Sequence, residues 1–325
     1  MKLSARTYLA LLSLRGVGRK TASKIADTFS NDPTTLEEFY NALLAAISSG
    51  LRVPTIELGD VRNALSRSEE QIDAAQQNKV SVFGRDDGDF PSRLKNIPDP
   101  PLAIFVKGNY HALNEKLSVA IIGTREPSEY GAKSARRIGK RLADEGVVVV
   151  SGLALGCDAE GHWGCVESHG RGVAVLAHGL DKIYPASNQD LADALLAEGG
   201  CLISEYPIGT RPQKNSFVDR DRLQSGLSEA VIVIETGVKG GSMHTARFAQ
   251  EQHRWLFCIT HPPELHTSEK AGGNIALLAE RKAEPLSSSD DVQNLLVKLR
   301  TQVKAAYTPK AIKTEPGPAQ HQFEF

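Results

Sequence analysis

The sequence predicts an α/β protein, a doubly wound and mainly parallel sheet that follows a small helical domain. Two observations carry this reading. Near residue 79 the hydrophobic period changes from helical spacing to short, continuous apolar runs. Beyond that point Val- and Ile-rich runs alternate with helix-like stretches, the pattern of strands buried on both faces. With 325 residues the chain is long enough for about two domains, each with a core of its own.

Residues 1–78 are predicted to be helical. Apolar residues recur with helical spacing at Leu9, Leu12, Ile25 and Phe29, and further helices are expected over 39–47 and from Val61 to Ala75. Between the first two lies Leu14-Arg15-Gly16-Val17-Gly18-Arg19-Lys20. A Gly-Val-Gly segment between short helices resembles a helix-hairpin-helix (SAM-like) unit. Gly16 and Gly18 permit the tight turn, the amides of the next helix can hold a backbone phosphate, and Arg19 and Lys20 add charge. The other reading is a hairpin that only packs or dimerises.

Residues 79–300 are predicted to form the sheet domain. Strands are expected at Leu117–Ile122, Val147–Val150, Val173–Ala177, Cys201–Ser204, Val231–Ile234 and Leu256–Ile259. Helices are expected at Ala132–Glu145, Asn188–Glu198 and Met243–His253. Such an order is Rossmann-like, with ligands bound outside the carboxyl ends of the strands. Residues 301–325 lose periodicity and are Pro-, Lys- and Gln-rich, the composition of a disordered tail; Phe323 and Phe325 at its end are the residues that would dock on a partner.

Composition sets limits. The formal charge of −1 excludes a globally basic coat protein but not a basic pocket. No apolar run is long enough to span a membrane, and the N-terminal stretch lacks a signal-peptide pattern, so a cytoplasmic, membrane-free protein is expected. Cys157, Cys165, Cys201 and Cys258 form no CxxC pair, and the nine histidines are scattered, so no metal site is expected. Cys201 and Cys258 read as core residues. There is neither a G-x-G-x-x-G after the first long strand, nor a P-loop, nor a G-x-S-x-G, so no cofactor and no catalytic residue is expected.

Four loops follow strand ends and have the composition of anion cradles. Gly123-Thr124-Arg125 brings a hydroxyl and a guanidinium to a helix start. Ser151 to Asp158 is Gly-rich, with Asp158 expected as a helix cap, and Gly179 to Pro185 follows the third strand. Glu235-Thr236-Gly237-Val238-Lys239-Gly240-Gly241-Ser242 leads into a helix. The segment from Glu205 to Arg222 is the most informative. It sets Lys214, Arg220 and Arg222 around Phe217, cations for phosphates and a ring for a base. In the opposing reading Phe217 plugs the core and Asp219 and Asp221 neutralise the arginines.

The order of these segments resembles the DNA-processing protein A (DprA/Smf) family. The resemblance rests on SVFGRDDGDFPSRLKNIPDPPLAIFVKGN (81–109), GTR at 123, SGLALGCDAEGH from 151, GLDKIYPASN from 179, SEYPIGTRP from 204, RDRLQSGLS from 220, GGSMHTARFAQEQ from 240 and GGNIALLAE from 272. It implies a homodimer that binds single-stranded DNA and helps load a RecA-type recombinase, with no enzymatic activity. Carried over by position, it implies DNA contacts at Arg125, Lys214, Phe217, Arg220, Arg222, Gly240, Gly241 and Ser242, to which the residue types of the loops add Thr124 and Lys239. The chain departs from the family pattern at Leu155, where a basic residue is replaced, at Asp219 and Asp221, and at Thr260-His261-Pro262-Pro263. No winged-helix segment follows residue 300. The chain therefore reads as a divergent paralogue with weakened binding, and about three neutralised phosphates would give a log–log salt slope near −2. A role outside transformation, such as defence against foreign DNA, stays open. The alternative is a nucleotide-binding enzyme or sensor that uses Asp219, Asp221 and Glu235 as acid–base or ribose-holding groups.

Overall fold

The structure, a computed structural model, describes residues 2–51 and 53–307. The chain opens with α1 (Ala5–Ser13), α2 (Arg19–Ala26), α3 (Leu36–Ser48) and α4 (Leu58–Gln77). Local chemistry sets their starts. Ser4 caps α1 by accepting from the Thr7 amide, and Thr35 with Glu38 forms a reciprocal capping box on α3. Gly16 sits at a φ of +76° in the α1–α2 hairpin, a conformation that favours glycine.

The sheet domain then runs β1 (Val80–Gly84), α5 (Ser92–Lys95), β2 (Ala103–Gly108), β3 (Ser118–Ile122), α6 (Glu129–Asp144), β4 (Val148–Ser151), α7 (Cys157–Glu167) and β5 (Gly172–Leu176). It continues with α8 (Gln189–Ala197), β6 (Cys201–Ser204), α9 (Lys214–Gly226), β7 (Ala230–Val233), α10 (Ser242–Glu251) and β8 (Trp255–Ile259). The last elements are α11 (Gly272–Ala279), β9 (Glu284–Leu286) and α12 (Ser289–Tyr307). The described strands pair in the order β1-β2-β6-β5-β4-β3-β7-β8-β9. β1, β2 and β6 pair antiparallel, and every other neighbouring pair is parallel.

This is the predicted doubly wound, Rossmann-like α/β sheet. From β3 the chain winds outward through β4, β5 and β6, then returns to β7 on the other side of β3 and winds the opposite way. The reversal opens a crevice at the carboxyl ends of β3 and β7, where sheets of this kind bind ligands. The parallel strands β3 to β7 are buried at every position, so their continuous Val/Ile runs face helices on both sides.

The helical segment packs closely on the sheet domain. One core cluster joins Tyr8, Leu11, Ile25, Phe39 and Val61 to Phe105, Leu176 and Leu202. Polar contacts cross the same boundary: the Tyr8 hydroxyl donates to Asp86 at 2.8 Å, and Arg85 pairs with Asp27 at 2.7 Å.

Three findings differ from the expectations. β1, β2 and β9 add strands that apolar runs did not reveal; β9 contains Pro285, tolerated because the strand lies at the sheet edge. Lys214–Gly226, not among the expected helices, is a helix whose buried side includes Ser216, Arg220, Arg222, Gln224 and Ser225, so no apolar period announced it. The first residues of the expected tail are helical, since α12 continues through Tyr307; residues 308–325, including Phe323 and Phe325, lie outside the described residues. Among the described residues no helix is long and apolar enough to cross a membrane.

Candidate nucleic-acid interface

The crevice between β3 and β7 is a cleft of about 380 Å³ lined by Thr124, Arg125, Phe217, Arg220, Asp221 and Ser242, among others. Backbone bonds fix its two walls. The Thr124 amide donates to the Glu235 carbonyl at 2.7 Å, and the Cys157 amide donates to the Thr124 carbonyl at 3.1 Å. On the other wall the buried Asn274 of α11 accepts from the Thr236 amide at 3.1 Å and donates to the Val233 and Ile234 carbonyls. The loops that carry the candidate ligand groups are therefore held by bonds that ligand binding need not make.

Glu235 is one of those braces. Its carboxylate accepts from the Ser128 amide at 2.7 Å and the Ser128 hydroxyl at 2.5 Å, and lies 3.3 Å from His261 Nε2. Burial alone pushes its pKa up, but the His261 and Ser128 hydrogen bonds outweigh burial and hold it below the usual glutamate range. Glu235 thus anchors the start of α6 to β7. The acid–base role considered for it meets a carboxylate that already accepts a hydrogen bond on each oxygen.

On the lip of the cleft Arg125 is exposed and makes no ion pair among the described residues. Its guanidinium carbon sits 5.2 Å from the centroid of the half-buried Phe217 ring. Tyr184 lies 6.0 Å from Phe217, ring centroid to centroid, and is 47% exposed. Arg125, Tyr184, Pro212, Gln213, Lys214 and Phe217 line an open groove of about 500 Å³ that contains no carboxylate. Lys214, at the first turn of α9, is exposed there. Across the cleft Lys239 and Gly241 are exposed, and α10 starts at Ser242 with Gly241 as an uncapped N-cap residue. The Met243 and His244 amides donate to the Gly240 and Gly241 carbonyls at 3.1 and 2.9 Å, so this helix start offers an anion the positive end of its dipole rather than a set of free amides. Ser242 lies beside Gly240 and Gly241 on the cleft wall, at the first helical position rather than at the cap.

Of two further predicted phosphate ligands, Arg222 lies away from the cleft and Arg220 lines it with its charge largely committed. Arg222 is buried, bonded to the Glu205 carboxylate at 2.5 and 2.7 Å, the Asp99 carbonyl at 3.0 Å and the Asp219 carbonyl at 2.7 Å. It cannot reach a phosphate without breaking a buried ion pair. Arg220 lines the inner wall of the cleft but is 5% exposed; it donates to the Val175 carbonyl at 2.9 Å, and its Nε lies 3.4 Å from Asp221. The backbone of Gly152 presses so closely on that guanidinium that a Cβ there would occupy its place. Both arginines build the interior.

The acidic departures also separate. Asp219 is exposed, whereas Asp221 lines the cleft beside Arg220. Burial pushes Asp221 up to about 7, with Asp158 adding repulsion and Arg220 and Arg125 opposing it. Asp158 is buried and accepts from the Gly152 amide at 3.0 Å; burial raises its pKa too. It sits in the first turn of α7 and is not the cap, a position taken by Gly156 at a φ of +75°.

The N-terminal hairpin has the predicted helix–turn–helix path, yet Arg19 turns inward. It forms a bidentate pair with Asp99 and lies 3.8 Å from Glu205, the two residues that also hold Arg222. Gly16, Gly18 and Lys20 remain exposed. All four cysteines are free and buried, and no cluster with the composition of a metal site occurs among the described residues. Sequence reasoning passed over Tyr184 and Gln224; Tyr184 carried a signal, an aromatic residue before Pro185 in a loop after a strand.

A model of the family described as DNA recombination-mediator protein A matches residues 81–297. Protein Smf of Synechocystis sp. is 35% identical over 265 residues, 79% of this chain and 65% of that protein, so the chain spans just under two thirds of that relative's length. The DNA processing protein DprA of Bacillus subtilis is 39% identical over 203 residues, 62% of this chain and 67% of that protein. Among solved structures, DNA processing protein A of Streptococcus pneumoniae superposes with a TM-score of 0.74 at 26% identity, covering 90% of this chain and 98% of that one. The Helicobacter pylori protein, whose structure is described by its single-stranded DNA binding mode, gives a TM-score of 0.60 at 30% identity, covering 70% of this chain and 97% of that one.

Proposed function

The chain belongs to the DNA recombination-mediator protein A family, and from that premise we propose that it binds single-stranded DNA at the β3/β7 crevice and hands it to a RecA-type recombinase. The observation that carries this reading is the open groove in which two unpaired cations, Arg125 and Lys214, flank Phe217 and Tyr184 with no carboxylate among them. A single strand offers phosphates to the cations and base faces to the rings. Lys239, exposed on the loop that leads into α10, and the Ser242 hydroxyl at the start of that helix extend the phosphate path. Thr124 lies between the two as a hydroxyl donor.

The relatives named for DNA processing, and the one described by its single-strand binding mode, support the same substrate class. A binding role without catalysis fits the polar groups: Glu235, Arg220 and Arg222 serve structural bonds, and the surface cations are the groups left for a ligand. A homodimer and a recombinase partner follow from the family reading.

The test is fluorescence anisotropy with a labelled oligothymidylate at low salt. The expected result is saturable binding that weakens about tenfold or more in Arg125→Ala combined with Lys214→Ala. Absence of binding, or an unchanged affinity in the double variant, overturns the proposal.

A further inference from the structure

The two rings of the groove are not equally open to a base. Phe217 is half-buried, with one face under the Arg125 guanidinium and Tyr184 packed 6.0 Å away, so little of its ring is free for a base. Tyr184 is the more exposed ring, and its hydroxyl has no hydrogen-bond partner among the described residues. Across a shallow hollow of about 60 Å³ lies Leu155, itself 45% exposed, with Pro185 and Ala154 completing an apolar floor. An exposed leucine, a tyrosine and a proline side by side form a surface that water covers at a cost and that a flat π-system would cover better.

We propose that Tyr184 and Leu155 together form a base-stacking seat for single-stranded DNA. This deepens the function proposed above and rests on it. The hollow is too small to engulf a base, so the base lies across it, stacked on Tyr184 with its edge over Leu155. The charged side chains on the hollow are Arg125 and Arg220, and Arg220 is committed to the Val175 carbonyl, so stacking on the ring, open to any base, carries the contact. The occupant is fixed by continuity: Arg125 and Phe217 line both this hollow and the cationic groove. A strand whose phosphate meets Arg125 brings its next base to Tyr184. In this arrangement Arg125 and Lys214 hold the backbone, while Tyr184 and Leu155 supply the share of affinity that depends on bases.

The experiment compares oligothymidylate with an abasic oligomer of equal length, by anisotropy, in the full chain. Tyr184→Ala is expected to weaken oligothymidylate binding about fivefold or more, with abasic binding and the salt slope unchanged. Tyr184→Phe keeps the ring and is expected to bind like the parent, and Leu155→Ser is expected to lose about twofold or more on oligothymidylate alone. Equal oligothymidylate affinity in Tyr184→Ala and the parent overturns the seat. So does an equal loss on the abasic oligomer, which marks a structural effect. Failure of the parent chain to bind oligothymidylate overturns the single-strand reading itself, whereas parental binding with an indifferent Tyr184 overturns the seat alone.

Discussion

The two ends of α9 use basic residues for opposite purposes. At the first turn Lys214 is exposed, and Phe217 sits three residues on beneath Arg125, in a groove without acids. One to two turns later Arg220 and Arg222 are sealed, bonded to the Val175 carbonyl and to Glu205. In the sequence these cations form one basic run around one aromatic. In the molecule the helix surface divides them, half toward solvent and half toward the sheet. A basic cluster is a binding site only where its charges have no other partner.

The sharpest way to break this comparison is through Arg222. Arg222→Met removes both short hydrogen bonds from the half-buried Glu205 carboxylate and leaves it only Arg19 at 3.8 Å, so stability should fall by about 3 kcal/mol, read by urea unfolding. If Arg222 were a DNA ligand instead, the variant would lose affinity while keeping its stability. The outward half should respond inversely. Phe217→Ala should weaken single-strand binding by about 0.5–1 kcal/mol, because the ring that seats the Arg125 guanidinium and packs on Tyr184 is lost, with only a small change in unfolding midpoint.

Asp221 lies on the boundary between the halves and gives a pH test. Its pKa near 7 stands above the ordinary aspartate value of 3.8, so the folded chain holds this proton more tightly than the unfolded one. Its contribution to stability therefore falls as pH rises through the window between those values. The same ionisation places a negative charge in the cleft, so DNA affinity should drop about threefold between pH 6 and pH 8. Asp221→Asn should flatten both trends, and a parent with pH-independent affinity over that range would contradict this assignment. The smallest effect is expected at the hairpin. With Arg19 committed to Asp99, Lys20→Ala should change single-strand affinity by less than about twofold; a larger loss would restore the hairpin as a DNA contact.

The sheet was legible because its strands are buried on both faces, and their continuous apolar runs from β3 to β8 appear directly in the sequence. The candidate loops were legible for the same reason, since every strand end leads into a loop of Gly, Ser or Thr. α9 was not legible, because its buried face is polar: Ser216, Arg220, Arg222 and Gln224 are satisfied by distant partners that no local pattern shows. The same cause misplaced Arg19, whose partner Asp99 is eighty residues away. β9 escaped notice because a three-residue edge strand containing proline has no periodicity to detect. Lys214, Phe217 and Arg125 were recognisable by residue type and by family resemblance, but which cations stay free is decided by tertiary pairing.

The central claim, that a few unpaired surface cations grip the backbone of single-stranded DNA while the buried arginines do not, is tested most directly by the salt dependence of oligothymidylate affinity. Three phosphate contacts, from Arg125, Lys214 and Lys239, predict a log–log slope of about −2, falling to about −0.7 when Arg125 and Lys214 are both replaced by alanine. A slope near zero in the parent, or one that the double replacement leaves unchanged, would contradict the account.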